Sequence, residues 1–588
     1  MSNRLGVWMV TAFAVAIMSF PVPSASETFK LRILHTNDMH SRFQQVSGST
    51  GKCSEYDAAH NLCYGGFGRV RTALNDELAK AKAENVSVLA LNAGDNYQGT
   101  LWYTIFKWKA VLHFFNMLKF DAMSLGNHEF DDGIEGLLPF LNQTNVPIVT
   151  CNIDHIEEPK FGQAPVKDSI ILERGGQKIG IIGYVTRQTA TMAHPGKLKF
   201  ESEVDCIKRE AEKLKKQNVE IIIALGHSGL DEDIIIAKSV PYLDVIVGGH
   251  SHTFLYTGTP PDSEKPTNTY PVMVTQESGR KVPIVQAYAF TKYLGKIDVE
   301  FDEKGEVVEA KGNPILLNYE IKEDPEVVES LKEWQMQLND SLQHPIGKTR
   351  VVLEGRRCRF EECNLGSVMA DSFIYHAVQN HTGSYWTNVA IALQQGGGVR
   401  ASINVTGSNG TVIREDAMTV MPFFGSLSVV QVNGKTLLSA LEWSVTRYDT
   451  EFHVGRGEFL QVSGLRVTYD LSKRPGSRVV SVRVRCASCE VPEYRPLDMK
   501  AEYNVIMPTF LLEGGDNFTM FKQDAKEILR YGRSHHNYSA FTVVFLVFSY
   551  GFFFVFFRHP RHRHFHKIHK RVVGDLHWFR GPNSIPQE

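Results

Sequence analysis

Five apolar runs in the first half of this 588-residue chain each stop at a cluster of Asp, Asn, Gly or His. The run LRILHT precedes Asp38-Met39-His40, VSVLALNA precedes Gly94-Asp95-Asn96, and AMSL precedes Gly126-Asn127-His128-Glu129-Phe130-Asp131. EIIIAL leads into Gly226-His227, and VIV into Gly248-Gly249-His250-Ser251-His252. Short, almost continuously apolar runs suit strands buried on both faces, as in a sheet covered by helices. Helical periodicity at residues 69–84 and 203–217 supplies such helices. The expected fold is therefore α/β, with the polar clusters gathered along one sheet edge.

One Asp or His after a strand is ordinary turn chemistry. Five such clusters together hold a complete set of carboxylate, amide and imidazole ligands and no Cys. That donor set suits zinc, manganese or cobalt rather than a thiolate site. Two divalent ions about 3.5–4 Å apart need one bridging carboxylate and further terminal ligands, and the clusters supply both.

The rest of the chain says where it works. Sixty-three Lys and Arg against 65 Asp and Glu give a net charge of −2, which offers no bulk field for nucleic acid. Residues 1–26 set Arg4 before an apolar stretch and end in Pro and small residues, the form of a secretory signal. Cys53/Cys63, Cys358/Cys363 and Cys486/Cys489 are spaced for local disulfides in an oxidising compartment, while Cys151 and Cys206 are left open between free and paired. Sequons begin at Asn85, Asn142, Asn380, Asn404, Asn409, Asn517 and Asn537. Some of these are expected to be glycosylated, with Asn404 and Asn409 the expected exposed ones and Asn517 left bare. Residues 540–557 are eighteen uncharged residues followed by a basic, His-rich tail, 558–588. They read either as a membrane span with its tail in the cytosol or as the signal for a lipid anchor. Both place the protein at the cell membrane, on its extracellular side.

With ILHTNDMH, NAGDNYQGT, LGNHEFDDG, ALGHSG and VGGHSHTFLYTG, the chain resembles the calcineurin-like metallophosphoesterases, and more closely the animal ecto-5′-nucleotidase branch of the 5′-nucleotidase family, over about residues 30–530. The resemblance implies a four-layer β-sandwich domain flanked by helices (27–322), a linker helix (323–342) and a second, α+β nucleotide-binding domain (343–530). It implies two divalent ions, zinc first. Asp38, His40 and His252 would surround one, Asn127, His227 and His250 the other, and Asp95 would bridge. His252 stands where the vertebrate enzyme looks to use Asn. His128 and Asp131 resemble the family's catalytic pair, with a helix N-cap, compatible with orienting His128, as the lesser alternative for Asp131.

For the nucleotide, the resemblance points to Arg359, Gln395, Arg400, Phe423, Phe510 and Asp516. Guanidinium groups match phosphate oxygens, aromatic faces sandwich a base, and a carboxylate accepts from ribose hydroxyls. Singly, the two Phe equally suit a core and Arg359 a solvated Cys loop. Gln395 departs from the family's Asn by one methylene, which loosens the expected preference for adenine. The implied activity is hydrolysis of nucleoside 5′-monophosphates, chiefly AMP, by a protein forming a homodimer. The alternative is a nucleoside di- or triphosphate or UDP-sugar hydrolase on the same scaffold.

Overall fold

The computed structural model describes residues 28–531 except 339, 380, 407, 424–425 and 450–454. The secretory signal, the apolar stretch 540–557, the basic tail and the sequons at Asn380 and Asn537 lie outside the described residues. Among those described, no helix is long and apolar enough to cross a membrane.

The apolar runs form two facing sheets. One has the order Val307–Gly312, Tyr293–Phe301, Phe29–Thr36, Ser87–Asn92, Ala122–Ser124, Ile148–Val149, Val166–Lys167. The other runs Val272–Thr275, Lys281–Val285, Val245–Val247, Ile221–His227, Gln177–Val185, Ser169–Arg174. Leu31, Ile33, Leu89 and Leu91 from the first sheet share one core with Ile181, Ile223, Ile246 and Ile284 from the second. Helix Phe67–Glu84, with Trp108–Asn116 and Gly133–Gln143, covers the other face of the first sheet through Val70, Phe114 and Phe140. Helices Glu203–Lys215 and Leu230–Ser239 bring Ile207, Leu214 and Ile236 onto the second. The result is helix, sheet, sheet, helix.

Pairing within each central group is parallel, so Thr36, Asn92, Ser124, His227 and Val247 all end at one edge. Cys151, just after Ile148–Val149, is disulfide-bonded to Cys206 on the covering helix, with Cα atoms 5.9 Å apart. This settles the state the sequence left open, and the three local pairs form as expected.

The second unit is a mixed five-stranded sheet in the order Leu460–Ser463, Ile391–Gln395, Glu502–Pro508, Leu427–Asn433, Lys526–Tyr531, with helices Asn364–Gln379 and Gly434–Ser444 in separate cores. The helix expected between the units runs Pro325–Gln335, and Asp324 caps it through hydrogen bonds from the Glu326 and Val327 amides. It docks on the first unit, where Val327 and Leu331 enter the core and Trp334 meets Phe106 and Phe114. Asn85, Asn142, Asn404, Asn409 and Asn517 are all exposed.

Candidate active site

The strand ends converge as their spacing implies. Loops 37–41 and 93–97 are zipped by main-chain hydrogen bonds from Asp38, His40 and Ser41 to the carbonyls of Gly94, Asp95 and Asn96 at 2.9–3.0 Å. This matters because Asp38, His40, Asp95, His250 and His252 all have left-handed backbones, φ 48–75°. Each such residue costs about 1 kcal/mol or more, and the surrounding hydrogen bonds hold the loops against that cost. Gly126 admits no side chain, since a Cβ there would lie 2.2 Å from Asp95 Oδ1.

Seven expected ligands form one buried group. Asp38 Oδ1 lies 3.1 Å from His252 Nε2 and 3.6 Å from His227 Nε2. Asp95 Oδ2 lies 2.9 Å from His227 Nε2 and 3.8 Å from His40 Nε2, so it reaches both halves of the cluster. Asn127 Oδ1 faces His250 Nδ1 at 2.9 Å. The candidate ligand atoms fall into three overlapping sets, Asp38, His40 and His252, then Asp95, His227 and His250, and between them His40, Asp95 and His128. His40 Nδ1 donates to Gln98 O and His227 Nδ1 to Ala93 O, which turns both Nε2 atoms inward.

Two observations say that a cation fits. Asp38 Oδ1 and His227 Nε2 are buried 3.6 Å apart and face only other members of the cluster, and His40 Nε2 and His252 Nε2 lie 3.0 Å apart. Burial holds His250 down to about 3 and His252 down to about 4, so both imidazoles are neutral donors at neutral pH. Burial opposes charge on Asp95, but the imidazoles of His227 and His128 hold its carboxyl well below the usual range. The cluster is therefore a divalent-metal site by geometry and charge.

His128 sits beside it. Its Nδ1 bonds Asp131 Oδ2 at 2.7 Å and its ring meets His40 edge-on at 5.2 Å. Burial works against protonation, but the Asp131 and Asp95 charges and the Asp131 hydrogen bond win, raising its pKa. Asp131 is not the N-cap: helix Gly133–Gln143 is preceded by Asp132, which bonds Tyr103 and Lys107 instead. The residue that sequence reasoning missed is Glu129. Its fully buried carboxylate accepts from the amides of Asp95, Asn96, Tyr97 and Gly126 at 2.7–3.2 Å, tying the Asp95 loop to the Asn127 loop. Nothing in HEFDD says which acid turns inward.

The second unit closes over this edge. Arg400 Nη2 donates to His40 Nε2 at 2.7 Å, and Arg42 Nη2 donates to Arg400 O at 3.4 Å. Arg456 pairs with Asp231 across the cleft at 2.8 Å. A cavity of about 1110 Å³ is lined by Asp95, Asn127, His128, His250 and His252 from the first unit and by Arg359, Gln395, Arg400, Phe423, Phe510 and Asp516 from the second. The Arg359 guanidinium has no hydrogen-bond or ion-pair partner among the described residues, and Phe423 stacks on His128 at 5.6 Å. Burial, with the charge of Glu458, pushes Asp516 up to about 6 against the nearby Arg359.

A dinuclear ligand set at the strand ends of a four-layer sandwich defines a metallophosphoesterase. The family models agree, with "Calcineurin-like phosphoesterase" matching residues 31–254 and "5′-nucleotidase, C-terminal domain" matching residues 345–523. The chain is 46% identical over 524 residues to Protein 5NUC of Lutzomyia longipalpis, covering 88% of this chain and 91% of that one. It is 45% identical over 516 residues to the 5′-nucleotidase of Homo sapiens, covering 86% of each. The crystal structure of a 5′-nucleotidase precursor from Thermus thermophilus superposes with a TM-score of 0.76 at 32% identity, covering 89% of this chain and 96% of that one. The chain belongs to the 5′-nucleotidase family and is a metal-dependent phosphoesterase acting on nucleoside 5′-monophosphates.

Proposed function

We propose that AMP is the main substrate, that the ions are zinc, and that residues 27–322 and 343–530 work as two domains with the catalytic apparatus in the first and the nucleotide pocket in the second. The observation that carries this reading is Arg400, which reaches from the second unit to within 2.7 Å of His40 in the metal cluster. A phosphate at that cluster is then within reach of a sugar and base held on the second unit. Asp38, His40 and His252 would hold one ion and Asn127, His227 and His250 the other, with Asp95 between. Bound there, the ions supply Lewis acidity toward phosphate oxygens and an acidified water.

The chain's own groups do the rest. Arg400 and Arg359 match phosphate and ribose oxygens. Asp131 holds His128 Nδ1–H, so Nε2 faces the phosphate and the departing 5′-oxygen, where a protonated ring offsets growing charge and delivers a proton. Phe423 and Phe510 offer faces to the base, Asp516 accepts from ribose hydroxyls, and Gln395 meets the base edge.

Phosphate release from AMP, ADP, ATP and UDP-glucose by the purified protein, with zinc or manganese and after chelation, tests this. AMP turnover restored by zinc is the expected result. A higher kcat/KM for ADP or UDP-glucose would favour the alternative hydrolase, which a cavity of about 1110 Å³ has the room to serve.

The signal-like start and the uncharged stretch 540–557 support an extracellular enzyme held at the membrane, and the homodimer stays a proposal that rests on the sequence resemblance alone. A phosphatidylinositol-specific phospholipase is expected to free the activity from intact cells if a lipid replaces the tail. Retention, with an epitope at Glu588 inside the cell, identifies a span, and a soluble enzyme carrying that epitope sinks both.

A further inference from the structure

The strand Ile391–Gln395 ends in two glutamines on the cavity wall, Gln394 and Gln395, which are 2% and 7% exposed. An amide head has an accepting end and a donating end, and the end that faces a ligand decides what is recognised. Gln394 Nε2 lies 2.9 Å from the main-chain oxygen of Gln395 and 3.1 Å from its Oε1. A main-chain oxygen only accepts, so the Gln394 atom facing it is the donor nitrogen; the reversed amide would set two acceptors 2.9 Å apart. The same nitrogen then requires an acceptor in the neighbouring head. Gln395 Oε1 thereby accepts one hydrogen bond and is turned toward Gln394, Gln394 Oε1 is buried without a partner among the described residues, and Gln395 Nε2 makes no hydrogen bond to a described residue. Gly398 leaves room for the arrangement, because a Cβ there would lie 2.3 Å from Gln394 Nε2 and 3.3 Å from Gln395 Nε2.

We propose that Gln394 is a specificity-determining positioning residue that holds Gln395 with its NH₂ end toward the substrate. The pocket then recognises a base by an acceptor, a ring nitrogen or carbonyl oxygen, and not by an exocyclic amine. This rests on reading the cavity as the nucleotide site. An unrestrained amide would turn to suit either partner; a clamped one does not.

The test compares kcat/KM for AMP, its 1-, 3- and 7-deaza analogues, purine riboside 5′-monophosphate and ribose 5-phosphate, in the parent and in Gln394→Leu. In the parent, one deaza replacement is expected to cost about tenfold, mostly in KM, while loss of the 6-amine costs less than about twofold. In Gln394→Leu the deaza penalty should shrink to about threefold, and the 6-amine should begin to matter as the freed amide rotates. Gln394→Glu keeps the length, removes the donor and should change the ratios in the same direction. Ribose 5-phosphate has no base and serves as the internal reference, since a general structural loss lowers every substrate alike. A 6-amine effect in the parent as large as the greatest deaza effect, or ratios unchanged in both variants, overturns the inference. A parent that hydrolyses neither AMP nor ribose 5-phosphate overturns the nucleotidase reading itself, and the inference with it.

Discussion

Replacing Asp95 by alanine is expected to remove both ions and lower AMP turnover by about 10³-fold or more. The expectation follows from position. Asp95 Oδ2 lies 2.9 Å from His227 and 3.8 Å from His40, one ring from each half of the cluster, while its Oδ1 accepts the His128 amide at 2.9 Å. Loss of a single donor to a developing oxyanion already costs ~10²–10³-fold, and on the proposed assignment the group lost here is a buried carboxylate that would serve both ions. His252→Asn should be far milder. His252 lines the cavity with 11% of its side chain exposed and would be a neutral terminal ligand, and an amide oxygen would replace one neutral donor by another. Metal analysis of both purified variants, read beside turnover, separates bridge from terminal ligand. Equal losses of metal would show that Asp95 does not bridge. Asp38 is a useful third variant, because its Oδ1 also approaches both His227 and His252.

The parts of this site that could be read from the sequence are those carried by pattern. An apolar run ending in Asp, Asn or His marks a buried strand and the loop after it, so the meeting of residues 38, 95, 127, 227 and 250 followed once the strands were parallel. Pattern says nothing about which way a side chain turns within a loop. Glu129 and Asp131 stand two apart in one acidic stretch, yet Glu129 is buried under four amides and Asp131 faces His128. Left-handed backbones at Asp38, His40 and Asp95 were equally hidden, since none is glycine and the strain is held by partners more than fifty residues away. The Cys151–Cys206 pair was hidden because its 55-residue separation closes only when the second sheet has packed on the first. The clamp of Gln394 on Gln395 depends on one amide orientation, which adjacency in the chain does not fix.

Replacing His128 by alanine is expected to leave about two ions per chain and to lower kcat by roughly 10²-fold, the usual contribution of a positioned proton donor. The structure makes this a sharp experiment, because His128 lies close enough to His40 and Asp95 to form a third possible ligand set with them. Two features suit the catalytic role. Its Nδ1 is engaged by Asp131 at 2.7 Å, and the neighbouring carboxylates raise its pKa, which favours a protonated ring able to deliver a proton. Asp131→Asn keeps a hydrogen-bond partner for Nδ1 while removing the charge that favours protonation, so it should give a smaller loss and shift the alkaline limb of the kcat profile to lower pH. The sign follows from the raised pKa: the active, protonated form persists to higher pH with the carboxylate than without it. Loss of an ion in the alanine variant would make His128 a ligand, and unchanged kcat would remove it from the reaction. A pH profile that does not move in Asp131→Asn would leave His128 in place and assign its protonation to Asp95 alone.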